Sequence, residues 1–545
     1  MYNVLIKIAS ALVLVFAIVF NFFGNLFGIG DIIPTDPETT ESTTVIESVT
    51  QPSEYTTEEV TTETTTEKVT HLPMTKPTSV MGTTGTDVVT TKPSTTREYG
   101  PKVESAEQKY FASFGGANTD TFTDVDTTAD GGIVVCGVTA STDGSFKNVP
   151  DDSWSESYGY VAKFDKDMKL VWIKAIGSKN ASVRVEEVAV LSDGSVVAVG
   201  YSSASDYASN EEFKGTLESF VVKYSSNGAL LAKKYFGGKG NDMFMCVDAL
   251  GSGFVVGGKT TSTNGSFTGN VANGVSNAVL MTFDSDCNVT ATRYLAGNYG
   301  SCVDGVATDA KGNVFITCIT AASTDDFAGI GMGKGYVDTA VFKYNSALER
   351  QWGFAVATSG RDNFKAIVAD ENGGCVVAGN YELVSTYMPD GTFENLHNCG
   401  GIDAVAVRIN ANGTKRWETS VAGFADDFIN DIAMLENGGF ALVGYTTSAN
   451  RDFAEMGNKG QSDAFTAFVT PGGNLAAVSG NGGARKEMAT CAAYTTDGKL
   501  VVLGQSTSSD GDFEGMNTHL SDSLINIFGD AYTTYMIKYD VKISD

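Results

Sequence analysis

The stretch STDGSF, residues 141–146, decides how the chain is interpreted, because variants of it recur along the sequence. Each variant is a short polar turn that ends in phenylalanine, and Asp, Asn and Gly are residues that favour such turns. The phenylalanines that close the copies are Phe146, Phe213, Phe267, Phe327, Phe393, Phe453 and Phe513. Their spacing of about 60 residues is typical of a repeat architecture.

Every copy of the turn is embedded in the same pattern of short apolar segments. In the first copy the segment FTDVDTT, residues 122–128, precedes the turn ADGG, and the run IVVCG ends at Gly137 before STDGSF. The segments YVAKFD and LVWIKAIG follow. Four short antiparallel strands per unit, with no helical periodicity, predict an all-β fold of propeller blades.

The two ends of the repeat region predict how the ring of blades closes. The last copy ends with its third strand, YMIKYDVKISD, and has no fourth. A matching fourth strand, QKYFASFGG, stands alone at residues 108–116, before the first copy. We therefore predict seven four-stranded blades, with the N-terminal strand completing the C-terminal blade.

The repeat units resemble the bacterial seven-bladed β-propeller repeat family over roughly residues 108–545. The resemblance is carried by apolar runs that end in glycine, such as VVAVG at Gly200, by D-G turns, and by strands such as FVVKYS. It implies the propeller fold and an extracytoplasmic location. It implies no active site, because the motifs of this family specify a fold and little chemistry.

We predict that the phenylalanine of each turn folds back into the groove between neighbouring blades. The alternative is a ring of exposed phenylalanines that serve as binding platforms, which would be an aggregation hazard unless covered.

The chain before the repeats divides into two segments. Residues 1–34 carry one lysine, Lys7, and then run uncharged from Ile8 to Gly30, long enough to cross a bilayer as a helix. The lysine on the N-terminal side predicts a signal-anchor with the rest of the chain outside the membrane, and a cleaved signal peptide is the competing interpretation. Residues 35–104, rich in Thr, Glu and Pro, are predicted to be a disordered stalk, and 105–545 the propeller. The prediction is thus a membrane-anchored protein whose propeller lies at the cell surface.

Charge and cysteine content narrow the function classes. The formal net charge is −28, from 65 acidic and 37 basic residues, which argues against a nucleic-acid partner. The eight cysteines include no C-x-x-C pair and lie mostly in apolar strands, so we predict buried free thiols. If any pair forms a disulfide, Cys302 and Cys318 are the first candidates, because they fall in one predicted hairpin.

The sequence contains no evident catalytic constellation. Its three histidines, His71, His397 and His519, lie in the stalk and in long loops, without a sign of a carboxylate that orients them. We therefore predict that the protein is not an enzyme. The alternative is a hydrolase or lyase that cleaves polysaccharide with carboxylates near the central channel.

A series of aspartates recurs at the start of the innermost strand, two residues before an aromatic residue. Its members are Asp120, Asp242, Asp362 and Asp426, with Glu487 at the same place. A second equivalent position is predicted for Asp124, Glu187 and Asp304. Each aspartate can cap its own loop, but a ring of carboxylates could also hold Ca²⁺, so calcium is the one cofactor that the sequence suggests.

The function predicted from the sequence is a surface binding or scaffolding module for a glycan or a protein. Long loops on one face of a rigid propeller would supply the chemistry. The candidate ligand-binding residues are the loop residues Trp154, Tyr207, Tyr387, Phe393 and His397.

Overall fold

A computed structural model describes residues 103–147, 157–177, 181–203, 215–271, 276–382, 392–393, 396, 400–516 and 532–543. These residues form seven four-stranded antiparallel sheets arranged as the blades of a propeller. The predicted all-β fold and the number of blades are thus confirmed. The predicted anchor and stalk lie outside the described residues, and no helix among the described residues is long and apolar enough to cross a membrane.

Blades 1 to 3 follow each other along the chain, and each begins with its innermost strand. Their strands are β2 (Asp120–Thr127), β3 (Ile133–Thr139), β4 (Tyr158–Phe164) and β5 (Leu170–Ile176); β6 (Val183–Val190), β7 (Val196–Ser202), β8 (Glu218–Tyr224) and β9 (Leu230–Phe236); and β10 (Asp242–Leu250), β11 (Gly253–Thr260), β12 (Asn277–Phe283) and β13 (Val289–Leu295).

Blades 4 to 6 repeat the same order, and blade 7 supplies three strands from the C-terminal end of the chain. The strands are β14 (Ser301–Thr308), β15 (Val314–Thr320), β16 (Asp338–Tyr344) and β17 (Arg350–Val356); β18 (Asp362–Ala369), β19 (Cys375–Glu382), β20 (Ile402–Ile409) and β21 (Lys415–Val421); β22 (Asp427–Met434), β23 (Phe440–Thr446), β24 (Asp463–Val469) and β25 (Leu475–Asn481); and β26 (Glu487–Tyr494), β27 (Lys499–Ser506) and β28 (Thr533–Ile543).

The N-terminal strand closes the ring. Strand β1 (Val103–Phe114) pairs with β28, and the sheet order is β1-β28-β27-β26. The register places Ser113 opposite Tyr535 and Ala106 opposite Val541. Antiparallel pairing over the length of both strands joins the two ends of the repeat region, so the predicted closure is confirmed.

The recurring polar turn folds as a short 3-10 helix that clips one blade to the previous one. The helices are Gly144–Phe146, Gly265–Phe267, Asp325–Phe327, Arg451–Phe453 and Gly511–Phe513. In the first copy the N–H of Ser145 donates to the carbonyl of Gly115 at 2.9 Å, and the N–H of Gly115 donates to Ser145 Oγ at 3.1 Å. Ser266 and Gly237 exchange the same two bonds between blades 3 and 2.

The backbone conformation of the turn explains why the first residue of its 3-10 helix is glycine in the first copy. Gly144 has a φ of 56°, and a Cβ atom there would lie 2.2 Å from the carbonyl oxygen of Gly115. Positive φ is costly for residues with a Cβ. Asp325 and Arg451 nevertheless adopt φ values of 52° and 53° at the same place in blades 4 and 6, so the blade contact imposes the conformation there.

The phenylalanine that ends each described turn is completely buried, as predicted. Phe146 packs edge-to-face against Phe114 of the closing strand, with ring centroids 5.3 Å apart, and against Tyr160 of its own blade. Phe513 packs in the same way against Tyr535 of its own blade, and it also contacts Phe111 of the closing strand, which belongs to blade 7 as well. The fully buried members are Phe146, Phe267, Phe327, Phe393, Phe453 and Phe513. They fill the grooves between blades and leave no ring of exposed phenylalanines, while Phe213 lies outside the described residues.

The described cysteines are free and buried, as the sequence indicates. Cys302 lies opposite Ile319, and Cys318 lies opposite Val303, so the two are offset across the β14–β15 pair. The described free thiols are Cys136, Cys246, Cys287, Cys302, Cys318, Cys375 and Cys491. They act as small apolar side chains in the core.

Candidate ligand-binding face

The two faces of the propeller carry very different connections. On one face the first strand turns tightly into the second and the third into the fourth, as between Leu250 and Gly253 or Phe164 and Leu170. The opposite face carries every link from the second strand to the third, the longest of which spans residues 507–532. We call this second face the loop face. Long connections on a rigid scaffold are where binding residues concentrate.

Of the five residues predicted to bind a ligand, four lie outside the described part of the chain: Trp154, Tyr207, Tyr387 and His397. Phe393 is described, and it is fully buried beside Phe364 and Tyr381, with centroids 6.1 and 4.8 Å away. Phe393 therefore presents no ring surface to a ligand, and its proposed contact role is withdrawn. Phe393 fills the groove between blades 4 and 5, as the phenylalanines of the other turns do in their own grooves.

The structure draws attention to three other aromatic residues that the repeat pattern does not single out. Tyr299, Tyr336 and Phe424 are 38, 72 and 64% exposed, the most exposed aromatic side chains among the described residues. All three lie on the loop face: Tyr299 leads into blade 4, Tyr336 precedes β16 of the same blade, and Phe424 leads into blade 6. Since Gly360, between blades 4 and 5, accepts a backbone hydrogen bond from Tyr336, this residue lies beside the junction of those blades. The three residues therefore occupy successive blade junctions, and we call them the aromatic arc.

The exposed rings have charged neighbours. The Arg451 guanidinium lies 5.2 Å from the centroid of the Phe424 ring, close enough for a cation–π contact. Aromatic residues and arginine are enriched in protein interfaces relative to the rest of the surface. Their position outside the repeat motif is why the sequence alone did not select them.

A pocket of about 220 Å³ lies where the loops of blades 4 and 5 meet their outer strands. Ile330 and Phe354 supply apolar walls, and Lys334 and Lys415 supply positive charge. The ammonium of Lys415 donates to the carbonyl of Thr392 and to Glu418, each at 2.5 Å. Two lysines are notable in a chain of net charge −28, and Lys334 is two residues from the exposed Tyr336.

The aspartates predicted as a calcium ring lie on the loop face, where each ties its own blade together. Asp120 is fully buried and accepts hydrogen bonds from the N–H of Gly116 at 2.7 Å, from Thr139 Oγ1 at 2.5 Å and from Ser141 Oγ at 3.0 Å. Asp242 accepts the equivalent three, from Gly238, Thr260 and Ser262. Asp362 accepts from the N–H of Thr358 at 2.6 Å.

The fourth member of this series is Asp427, and the assignment of Asp426 is corrected by one residue. Asp427 lies opposite Thr446, as Asp120 lies opposite Thr139, and it accepts from Gly423, Thr446 and Ser448. Asp426 instead accepts from the N–H of Ile402 at 3.0 Å. Counting back from Phe428 misplaces the strand, because Phe428 stacks on Tyr445 and the inward position two residues after Asp427 is Ile429.

Burial changes the protonation of these groups. It raises the pKa of Asp120 and that of Asp427 to about 6, even though the hydroxyl and N–H donors act in the opposite direction. Loss of hydration disfavours the ionised form more than the hydrogen bonds favour it.

A second set of carboxylates lies near the propeller axis and links the innermost strands of adjacent blades. Asp124 accepts from the N–H of Val188 at 2.9 Å, and Asp431 accepts from the N–H of Ala492 at 2.8 Å. Glu187 accepts in the same way from the N–H of Val247. An innermost strand has one unpaired edge, and these side chains satisfy its donors.

The equivalence predicted for Asp304 is also corrected. Asp124 and Glu187 follow the bulge of their strands, whereas Asp304 occupies the bulge itself, between Val303 and Gly305. Asp431 takes the predicted place in blade 6. Burial raises the pKa of Asp124 to about 8 and that of Asp431 to about 7, with the Asp431 charge adding to the shift at Asp124.

Among the described residues, no three or more His, Cys, Asp or Glu side chains are grouped to hold a metal ion. The loop-face and axial carboxylates mostly accept hydrogen bonds from the backbone and from hydroxyls, which accounts for them without a substrate. The geometry therefore points to the exposed aromatic arc as the candidate site.

Comparisons with known proteins found only solved structures of low sequence identity. No protein-family model matches the chain, and no curated protein matches it. Solved structures that resemble it include a protein of unknown function from Bacteroides caccae, at 11% identity and a TM-score of 0.33, covering 61% of this chain and 92% of that one. The phage phi92 endosialidase has 8% identity and a TM-score of 0.40, covering 80% and 70%. The Pan2 WD40 domain of Neurospora crassa has 10% identity and a TM-score of 0.31, covering 62% and 91%.

Proposed function

We propose that the protein is a binding or scaffolding module whose loop face recognises a glycan or a protein through an aromatic arc formed by Tyr299, Tyr336 and Phe424. The observation that carries this proposal is the exposure of all three rings on one face, beside the successive junctions of blades 3 and 4, 4 and 5, and 5 and 6. Flat aromatic rings offer a large contact area at small conformational cost, on either a sugar ring or a protein side chain.

Two further observations support the choice of this face. The opposite face consists of tight turns, which offer little variable surface. The pocket between blades 4 and 5 contains Lys334, two residues from Tyr336, so a ligand that contacts the ring can also place a polar or anionic group nearby. The alternative function is cleavage of polysaccharide near the axis by a hydrolase or lyase. It is less well supported, because the axial carboxylates Asp124, Glu187 and Asp431 accept hydrogen bonds from backbone donors of the next blade.

The experiment is a binding screen of the full-length protein on a glycan array and a set of extracellular proteins, followed by affinity measurement on every hit. The Tyr336→Ala/Phe424→Ala variant is expected to lose at least tenfold in affinity. Leu230→Ala is the matched control, because Leu230 is 58% exposed but lies on an outer strand, away from the arc. Equal loss in both variants, or none in the arc variant, would refute the proposal.

The cellular setting is part of the same proposal. We infer from the uncharged run of residues 8–30 that the chain is membrane-anchored, with its propeller extracytoplasmic, and from the repeat motifs that it belongs with the bacterial seven-bladed propellers they resemble. Protease treatment of intact cells tests the location. Cleavage of the propeller from the outside supports it, whereas protection until the membrane is permeabilised contradicts it.

A further inference from the structure

Paired acidic residues meet in the grooves between blades on the loop face. In each groove the first residue of a third strand, or the second residue in β20, lies beside the first residue of the next blade's innermost strand. The main chains are adjacent there: Asp242 donates its N–H to the carbonyl of Leu217 at 3.0 Å, and Glu487 donates to that of Ser462 at 2.9 Å. The grooves in which both positions are acidic contain Glu218 with Asp242, Asp338 with Asp362, Asp403 with Asp427, and Asp463 with Glu487.

The third-strand acids are buried and incompletely satisfied. Glu218, Asp338 and Asp463 are only 5, 1 and 1% exposed. One carboxylate oxygen of each has no hydrogen-bond partner among the described residues, namely Glu218 Oε2, Asp338 Oδ1 and Asp463 Oδ1. The other oxygen of Asp463 accepts from the N–H of Lys459 at 2.9 Å. A buried carboxylate oxygen without a partner is costly and calls for a compensating group.

The distribution of these acids among the seven grooves indicates that they act in pairs. The three remaining third strands begin with Tyr158, Asn277 or Thr533 at this position. An acidic residue therefore occurs on the third strand only where the neighbouring innermost strand also begins with one. Repulsion between two buried like charges would favour the opposite distribution, unless each pair has a positive partner.

The lysine beside Asp463 does not neutralise the acidic pair of that groove. The Lys459 ammonium is engaged with Asp512 at 2.6 Å. At Glu218, burial and the charge of Asp242 together raise the carboxyl pKa to about 7. Such a pair is held together either by a metal cation or by a proton that the two carboxyls share.

We propose that these four grooves are Ca²⁺ sites that fasten adjacent blades. Each supplies two carboxylates, and hydroxyls such as Ser506 Oγ, which donates to Glu487 at 3.0 Å, line the same groove. Calcium accepts six to eight oxygen ligands in flexible geometry, so backbone carbonyls and water can complete a two-carboxylate site. This proposal is independent of the ligand of the aromatic arc.

The test is calorimetric titration of the chelator-treated full-length protein with CaCl₂ at pH 7.5, combined with thermal unfolding. Calcium is expected to bind and to raise the melting temperature, because a ligand of the folded state stabilises it. The Asp463→Asn/Glu487→Gln variant is expected to lose one binding equivalent. Asp120→Asn is the matched control: its groove pairs Asp120 with Thr533, so the number of bound ions should not change.

If the first variant does not fold, Asp338→Asn/Asp362→Asn removes a different pair and is expected to have the same effect on stoichiometry. The proposal is overturned if calcium leaves the melting temperature of the chelator-treated protein unchanged at pH 7.5. It is also overturned if folded groove variants bind as many ions as the parent protein.

Discussion

Ser145 and Gly115 exchange two hydrogen bonds across the junction between blade 7 and blade 1, one through the Gly115 carbonyl and one through Ser145 Oγ. Gly115 directly follows the closing strand, so this clip ties the N-terminal end of the propeller to the first blade. The same exchange recurs between Asp512 and Gly482. The repeated turn therefore links adjacent blades by hydrogen bonds, and the stability of the closed ring should depend on these bonds.

Replacing Phe114 by alanine should weaken ring closure. Phe114 is 4% exposed and its ring contacts those of Phe122, Phe146 and Phe164. Truncation of a buried phenylalanine costs about 3 to 5 kcal/mol, measurable as a lower denaturant midpoint. The control is Lys109→Ala on the same strand, since exposed ion pairs contribute about 0 to 1 kcal/mol. Similar losses in the two variants would mean that the closing strand is not packed as described.

Two phenylalanines of blade 6 should separate stability from binding. Phe453→Ala removes the fully buried ring at the end of the turn between β23 and β24, and it should lower the free energy of unfolding by about 3 to 5 kcal/mol. Phe424→Ala removes a ring that is 64% exposed and should change stability by no more than about 0.5 kcal/mol. Chemical denaturation of both variants checks this, and a large loss of stability in Phe424→Ala would contradict the assignment of Phe424 to the binding face.

The stability of the propeller should fall as the solution becomes alkaline. The folded-state pKa is raised to about 8 for Asp124 and to about 7 for Asp431 and Asp248, whereas an unfolded aspartate titrates near 4. A raised carboxyl pKa stabilises the folded state below the unfolded pKa. That contribution is lost as the pH rises through about 4 to 8. Unfolding midpoints measured from pH 5 to pH 9 should therefore decrease.

Asp124→Asn should flatten this pH dependence. The amide oxygen can still accept from Val188, but the side chain no longer ionises. The variant should therefore be relatively more stable than the parent at pH 9 than at pH 5. An unchanged slope would show that Asp124 does not titrate in the folded protein within this range.

Asp427 and Asp426 provide a test of strand register. Asp427→Ala removes a fully buried acceptor of three hydrogen bonds and should cost about 1 to 3 kcal/mol or more. Asp426→Ala removes one partly exposed acceptor and should cost about 1 kcal/mol or less. Denaturation of the two variants under the same conditions decides between them. A larger loss of stability in Asp426→Ala than in Asp427→Ala would support the register inferred from Phe428 instead.

The positions of Asp427 and Asp304 depend on strand pairing, which the sequence pattern does not show directly. Aligning Asp426 by its distance to Phe428 fails because an aromatic side chain can face either side of a strand, and only the pairing of Asp427 with Thr446 identifies the inward face. Asp304 was misaligned for a related reason: Ser301, which lies opposite Thr320, occupies the place of Asp120 in blade 4, so Asp304 is one residue short of the place of Asp124. Phe393 ends a copy of the repeated turn and also lies in a long loop, so its sequence position fits both groove packing and ligand contact. Its complete burial shows that it packs in the groove.

The sequence by itself determined the repeat, the four strands of each blade, the number of blades and the closure by residues 108–116. These features depend on local turn chemistry and on apolar periodicity, which are visible along the chain. The tertiary structure alone decided which carboxylates meet across a groove and which aromatic rings remain exposed. Those properties depend on contacts between residues of different blades, and no local pattern encodes them.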